Sequence, residues 1–163
     1  MKVLVSAASK YGATTEIAEA IGNVLVNSGL DVDVRTPDEV TSIDAYQVLV
    51  LGSAVYAGHW LTPARDLVDR YTGTLQDKSV WLFSSGPVGG DPPMPKDETV
   101  DISRMMAATD AVEHKLFAGR LQKRRLNFAD RAIAFALGVP EGDYRDWGEI
   151  ASWASRIAEL ATR

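Results

Sequence analysis

The fourteen residues Val3-Leu4-Val5-Ser6-Ala7-Ala8-Ser9-Lys10-Tyr11-Gly12-Ala13-Thr14-Thr15-Glu16 decide the fold. Val3-Leu4-Val5 is a short apolar, β-branched run that reads as a buried strand ending at Ser6. Small and hydroxyl-bearing residues follow. From Thr14 to Val26 the apolar residues Ile17, Ala18, Ile21, Val24 and Leu25 recur at helical spacing. Asn27-Ser28-Gly29 stops that helix, with Gly29 suited to a left-handed cap. Strand, loop and helix in this order open a βαβ unit.

The rest of the chain repeats the alternation. Val32-Asp33-Val34 is a second strand, closed by Thr36-Pro37, and Val48-Leu49-Val50-Leu51 a third, ending at Gly52. Pro63 fits the first turn of a helix running to about Tyr71. Val80-Trp81-Leu82-Phe83 is a fourth strand and Leu116-Phe117-Ala118-Gly119 a fifth. Residues 86–99 read as one long glycine- and proline-rich loop, a length that tends to be functional. A helical pattern around Ala129–Leu137 and a last amphipathic helix from Trp147 to Ala161 complete the chain. Short apolar strands alternating with helices specify an α/β, doubly wound, five-stranded parallel sheet covered on both faces. At 163 residues the expectation is a single domain spanning 1–163.

Composition removes several classes of function. The chain is 46% hydrophobic and 24% charged, ordinary for a globular protein. It contains no cysteine, which excludes disulfides, Cys-ligated zinc, iron–sulfur clusters and cysteine nucleophiles. Seventeen basic against 22 acidic residues give a net charge of −5, against a dedicated nucleic-acid binder. No apolar run is long enough to span a bilayer. The opening Met1-Lys2-Val3-Leu4-Val5-Ser6 is too short an apolar stretch for a signal peptide, so the expected compartment is the cytoplasm.

In open parallel sheets ligands bind beyond the C-terminal strand ends, where the strand order reverses. Three unusual loops lie at such ends. The first carries Ser9, Lys10, Tyr11, Gly12, Ala13 and Thr14 and opens a helix, whose N–H groups favour a phosphate. The same hydroxyls also serve as ordinary helix caps. The loop has neither G-x-G-x-x-G nor G-x-x-x-x-G-K-[ST], which argues against a standard dinucleotide fold and a nucleotide triphosphatase. The second loop, Ser53-Ala54-Val55-Tyr56-Ala57-Gly58-His59-Trp60, lets backbone approach a flat ligand, with Tyr56, His59 and Trp60 as aromatic edges. Equally, Tyr56 and Trp60 pack on the next helix and His59 is a turn residue. The third, Ser84-Ser85-Gly86-Pro87-Val88-Gly89, offers amides to a heterocycle edge or is a plain connector; Pro87 limits its donors. His114 has no ligand-spaced partner, so no metal site is expected.

Together the three loops resemble the flavodoxin superfamily, and more narrowly its menaquinone-dependent protoporphyrinogen oxidase branch. The residues carrying the narrower match are Gly12-Ala13-Thr14-Thr15-Glu16-Ile17-Ala18, Gly52-Ser53-Ala54-Val55-Tyr56-Ala57-Gly58-His59 and Phe117-Ala118-Gly119-Arg120-Leu121, with the tail from Asp146-Trp147 through Arg156-Ile157-Ala158. The resemblance implies strand order 2-1-3-4-5 and the cofactor flavin mononucleotide (FMN). It implies that Ser9 to Thr14 hold the phosphate, that Ser53 to Gly58 line one side of the isoalloxazine and that Ser84 to Gly89 line the other. The chain departs from the branch at Ala8-Ser9, where hydroxyl pairs are common, and in its proline- and glycine-rich segment after the fourth strand.

The implied activity is that of a flavin-dependent oxidoreductase passing electrons from an organic donor to a quinone or another acceptor. Tyr56 and His59 are the candidate catalytic side chains. A flavodoxin-type one-electron carrier and a flavin-free binding module are the rival readings. The carrier would call for a strongly acidic docking rim, which −5 does not supply. The expected partners are a small-molecule redox substrate and a quinone, with no nucleic acid; a homodimer stays open. The basic stretch Arg120-Leu121-Gln122-Lys123-Arg124-Arg125 reads either as a solvated turn before a core helix or as a surface approaching anionic lipid at the inner membrane face.

Overall fold

The computed structural model describes residues 1–56, 58–86, 102–136, 138 and 141–163. Its main sheet runs β2 (Asp31–Arg35), β1 (Lys2–Ala8), β3 (Val48–Tyr56), β5 (Ser79–Ser85), β6 (Glu113–Phe117), with all four neighbouring pairs parallel. Counted along the parallel strands, this is the expected order 2-1-3-4-5. A two-residue strand β4 (His59–Trp60) turns back antiparallel on the end of β3. A separate ribbon pairs β7 (Arg120–Leu121) with β8 (Gly142–Asp143).

The period-two alternation of the strands divides the core into two layers. Val3, Val5, Ala7, Val48, Val50, Trp81 and Phe83 face α1 (Ala13–Asn27) and α6 (Trp147–Ala161). Leu4, Ala8, Leu49, Leu51, Val80 and Leu82 face α2 (Thr62–Arg70), α3 (Thr72–Leu75) and α4 (Ile102–Thr109). Central strands buried on both faces must read as continuous apolar runs, and these do. In the α1/α6 layer Trp153 meets Phe83, Phe117 and Trp81 edge-on, with ring centroids 5.5–6.2 Å apart.

The sequence reading is displaced in three places. The fifth parallel strand is Glu113–Phe117, not Leu116–Gly119. It is the sheet edge, so Glu113, His114 and Lys115 are only half-buried and lack the apolar signature of the central strands. Helix α4 buries only Met105 and Thr109 and leaves too faint a stripe to read. Helix α5 (Phe128–Ala136), expected as a core helix, buries only Ala134. Of the long loop read over 86–99, only Gly86 lies within the described residues.

Gly52 fixes how β3 and β5 approach one another. It pairs with Phe83, and a Cβ built on it would come within 2.3 Å of the Phe83 ring. Only glycine lets the ring lie across the strand. Gly52→Ala is therefore expected to overpack the layer and lower stability by about 2–3 kcal/mol in urea unfolding. An unchanged unfolding midpoint would show that the ring relocates freely.

Candidate functional site

Strand order reverses between β1 and β3, since β1 is followed in sequence by a neighbour on one side and then by one on the other. Register pairs Ala8 with Ser53 and Ser53 with Ser84. The loops after β1, β3 and β5 thus leave the same edge side by side. These are the three loops singled out in the sequence.

The β1 loop is shaped at Gly12. This residue adopts φ 89°, which glycine enters without a Cβ penalty, and serves as N-cap of α1. No side chain caps that helix end. Ser9 Oγ accepts from the Gly12 amide at 3.0 Å, which folds the loop on itself, and Thr14 is buried in the first turn. The early amides of α1 are left without a capping side chain, the donor set a phosphate requires.

Two further groups press on this loop, and both come from the segment between β6 and α6. Asp130 of α5 receives Lys10 Nζ at 2.5 Å and a very short bond from the Tyr11 hydroxyl. Lys10 Nζ also lies 5.5 and 5.6 Å from the ring centroids of Tyr56 and Tyr11, which meet edge-on. The hydrogen bonds from Lys10 and Tyr11 hold the Asp130 carboxyl below the usual range, and its bond raises Lys10 in turn. Burial, with Tyr11 and Asp130 nearby, pushes the Tyr56 phenol well above its ordinary value, so it stays protonated. The second clamp closes on Glu16 in the first turn of α1. Arg120 and Arg145 each donate to its Oε2 at 2.9 Å. Arg145 is almost fully buried, forks onto Asp143, donates to the Ala13 carbonyl at 3.3 Å and stacks over Trp147.

The serines of the other two loops sit differently. Ser53 Oγ accepts from the Leu61 amide and donates to the Ala54 carbonyl, at 2.9 and 2.7 Å. Ser84 Oγ accepts from Trp60 Nε1 and lies 2.8 Å from His114 Nε2. Both hydroxyls are buried and engaged inside the protein, so neither is turned to a ligand. Gly86 and Gly119 abut there: a Cβ on Gly119 would come within 3.3 Å of the Gly86 backbone. The structure brings together Ser9 to Thr14 with Tyr56. His59 is exposed in β4, paired with Tyr56 in register. Ala57, Pro87, Val88 and Gly89 lie outside the described residues.

Sequence reasoning missed Asp130, Arg145 and His114. Nothing local marks the first two, which reach the loop from more than a hundred residues away. His114 sits on the edge strand β6, with its Nε2 2.8 Å from Ser84 Oγ. No group of three or more His, Cys, Asp or Glu among the described residues is placed to hold a metal.

A doubly wound sheet with these three loops at its switch point defines an FMN-binding flavodoxin-like protein. A family model described as the flavodoxin domain matches residues 4–142, and the chain belongs to that family. It is 23% identical to protoporphyrinogen IX dehydrogenase [quinone] of Escherichia coli K12, over all of this chain and 98% of the relative. Among solved structures, a Streptococcus pneumonia TIGR4 flavodoxin superposes with TM-score 0.65 at 20% identity, covering 99% of both chains. Rubredoxin oxygen:oxidoreductase from Desulfovibrio gigas superposes with TM-score 0.62 at 15% identity; 98% of this chain matches 35% of that one. At these identities the structural likenesses speak for the fold.

Burial pushes the His114 imidazole down to about 4. Its value in the unfolded chain is ~6.5. Above that pH both states are neutral and the folded state carries no penalty. Between 6.5 and 4 the unfolded chain takes up a proton that the folded one refuses, so stability falls as pH falls, levelling off below 4. Lowering the pH from 7.5 to 5 is expected to cost about 1 kcal/mol through this group, discounted for the ring's partial exposure. His114→Gln should remove that part of the slope; an identical pH profile in the variant would rule it out.

Proposed function

We propose that the chain is an FMN-dependent oxidoreductase that takes electrons from an organic donor and passes them to a quinone, in the manner named by its protoporphyrinogen dehydrogenase relative. The carrying observation is the end-to-end match to that enzyme, at 100% of this chain and 98% of the relative. The architecture around the β1 loop agrees with it. Asp130 bonds to Lys10 of the loop, and Arg120 and Arg145 both bond to Glu16 in the first turn of α1.

Bound flavin would supply the electron-accepting ring, and the chain's task is to bind, orient and shield it. Ser9, Gly12, Ala13 and Thr14 would hold the phosphate through amides and hydroxyls, with Lys10 alongside. Ser53 to Gly58 and Ser84 to Gly89 would border the ring. The Ser53 and Ser84 hydroxyls are engaged elsewhere, so the contact would fall to backbone and to the other side chains of these segments, Tyr56 among them. Tyr56, held protonated, suits a hydrogen-bond donor or an aromatic wall rather than a base at neutral pH. His59 lies exposed beside it in β4, paired with Tyr56 in register.

The test has two stages. Thr14→Val keeps the shape and deletes the hydroxyl. It is expected to weaken FMN binding about tenfold while leaving riboflavin, which lacks the phosphate, unaffected. Equal affinities in the variant and the parent would remove Thr14 from the phosphate site. The flavin-loaded protein is then mixed with reduced porphyrin precursor and a menaquinone analogue. Catalytic porphyrin formation is expected. Tight flavin binding without turnover would overturn the oxidase reading and leave a carrier.

A further inference from the structure

Helix α5 is built the wrong way round for a helix resting on a core. At about 100° per residue, Phe128, Ala132, Phe135 and Ala136 fall on one side and Asp130 and Ala134 on the opposite one. A surface helix ordinarily turns its apolar stripe inward. Here the inward side carries the Asp130 carboxylate, bonded to Lys10 and Tyr11, and the small Ala134, while Phe128 is 87% exposed, Phe135 81% and Ile133 57%. Ala129, Ala132 and Ala136 are exposed as well.

The inward carboxylate fixes this orientation. Rotating the helix to bury its phenylalanines would tear Asp130 from Lys10 and Tyr11. Arg131 ties the same helix to the preceding turn by donating to the Lys123 and Leu126 carbonyls. That turn, Lys123–Arg125, presents the exposed Arg124 and Arg125 beside the apolar face. Of the nearby carboxylates, Asp130 points inward to Lys10, while Glu141 accepts from the Lys123 amide and leaves one negative charge against the three basic residues of the turn. In a chain of net charge −5 this is a local basic patch joined to an apolar one.

We propose that α5 and the Lys123–Arg125 turn dock on an anionic lipid bilayer, the phenylalanines entering the headgroup boundary and the arginines facing lipid phosphates. Apolar side chains beside a Lys/Arg cluster are the chemistry that a short helix lying in the membrane plane requires. A second copy of the chain fits the patch less well, because two-fold packing would set each basic turn near its own image. The inference does not rest on the redox reading, since lipid binding is measured without turnover. It deepens that reading all the same: a bilayer seated on α5 would lie against the helix that Asp130 fastens to the β1 loop.

The experiment is cosedimentation of the flavin-loaded protein with vesicles of phosphatidylcholine alone or mixed with phosphatidylglycerol. The protein is expected to pellet with the mixed vesicles only, and to be released by added salt. Phe128→Ser/Phe135→Ser and Arg124→Glu/Arg125→Glu should each lower the partition coefficient at least about tenfold. Val26→Ser, at an exposed apolar residue of α1, should leave it unchanged. Retained flavin absorbance certifies that each variant is folded. Should the phenylalanine pair fail that check, the arginine pair and the salt series decide. Failure to pellet, equal binding to both vesicles, or variants that bind like the parent would overturn the proposal. So would a concentration-dependent dimer lost on replacing the phenylalanines, which would make a second copy the occupant.

Discussion

The close approach of Phe83 to Gly52 holds the molecule's centre together. The ring lies across the neighbouring strand because no side chain stands there. From that position it touches Phe117 and Trp153, joining β3, β5, β6 and α6 through a single aromatic cluster. The same glycine is the last residue before Ser53, where β3 begins to contribute to the site. Packing in the sheet's middle and placement of the loops at its edge therefore follow from one missing methyl group.

The three central strands are legible because burial on both faces demands unbroken apolar runs, and Val3–Val5, Val48–Leu51 and Val80–Phe83 provide them. At the β1 loop the residues left a helix cap and a phosphate site both open, and in the structure no side chain caps α1. What stays hidden has a physical reason in each case. An edge strand tolerates Glu113, His114 and Lys115, so β6 does not announce itself. Periodicity shows that α5 has an apolar stripe but not which way the stripe faces. That choice is made by Asp130, whose partners lie at the far end of the sequence. The Arg120–Glu16–Arg145 bridge is invisible for the same reason.

Electrostatics divides the site's labour. Lys10 is neutralised by Asp130 at 2.5 Å, and Arg120 and Arg145 by Glu16 and Asp143. Lys10, Arg120 and Arg145 are thus each paired with a carboxylate, the two arginines sharing Glu16. The uncapped first turn of α1 is left as the principal donor set facing outward. A phosphate held mainly by amides and hydroxyls fits a loop whose nearby positive charges are already balanced.

The internal engagement of Ser53 and Ser84 bears on how such a site survives in distant relatives. Their hydroxyls belong to the scaffold, through Leu61, Trp60 and His114, and the strand ends present main chain to whatever lies against them. Amides and carbonyls are common to every residue type. Mutational drift can therefore replace much of the surrounding chain without erasing the groups that make the contact, provided the strands keep their register. A pocket specified by backbone geometry is inherited with the fold, and chains that share it need share little else.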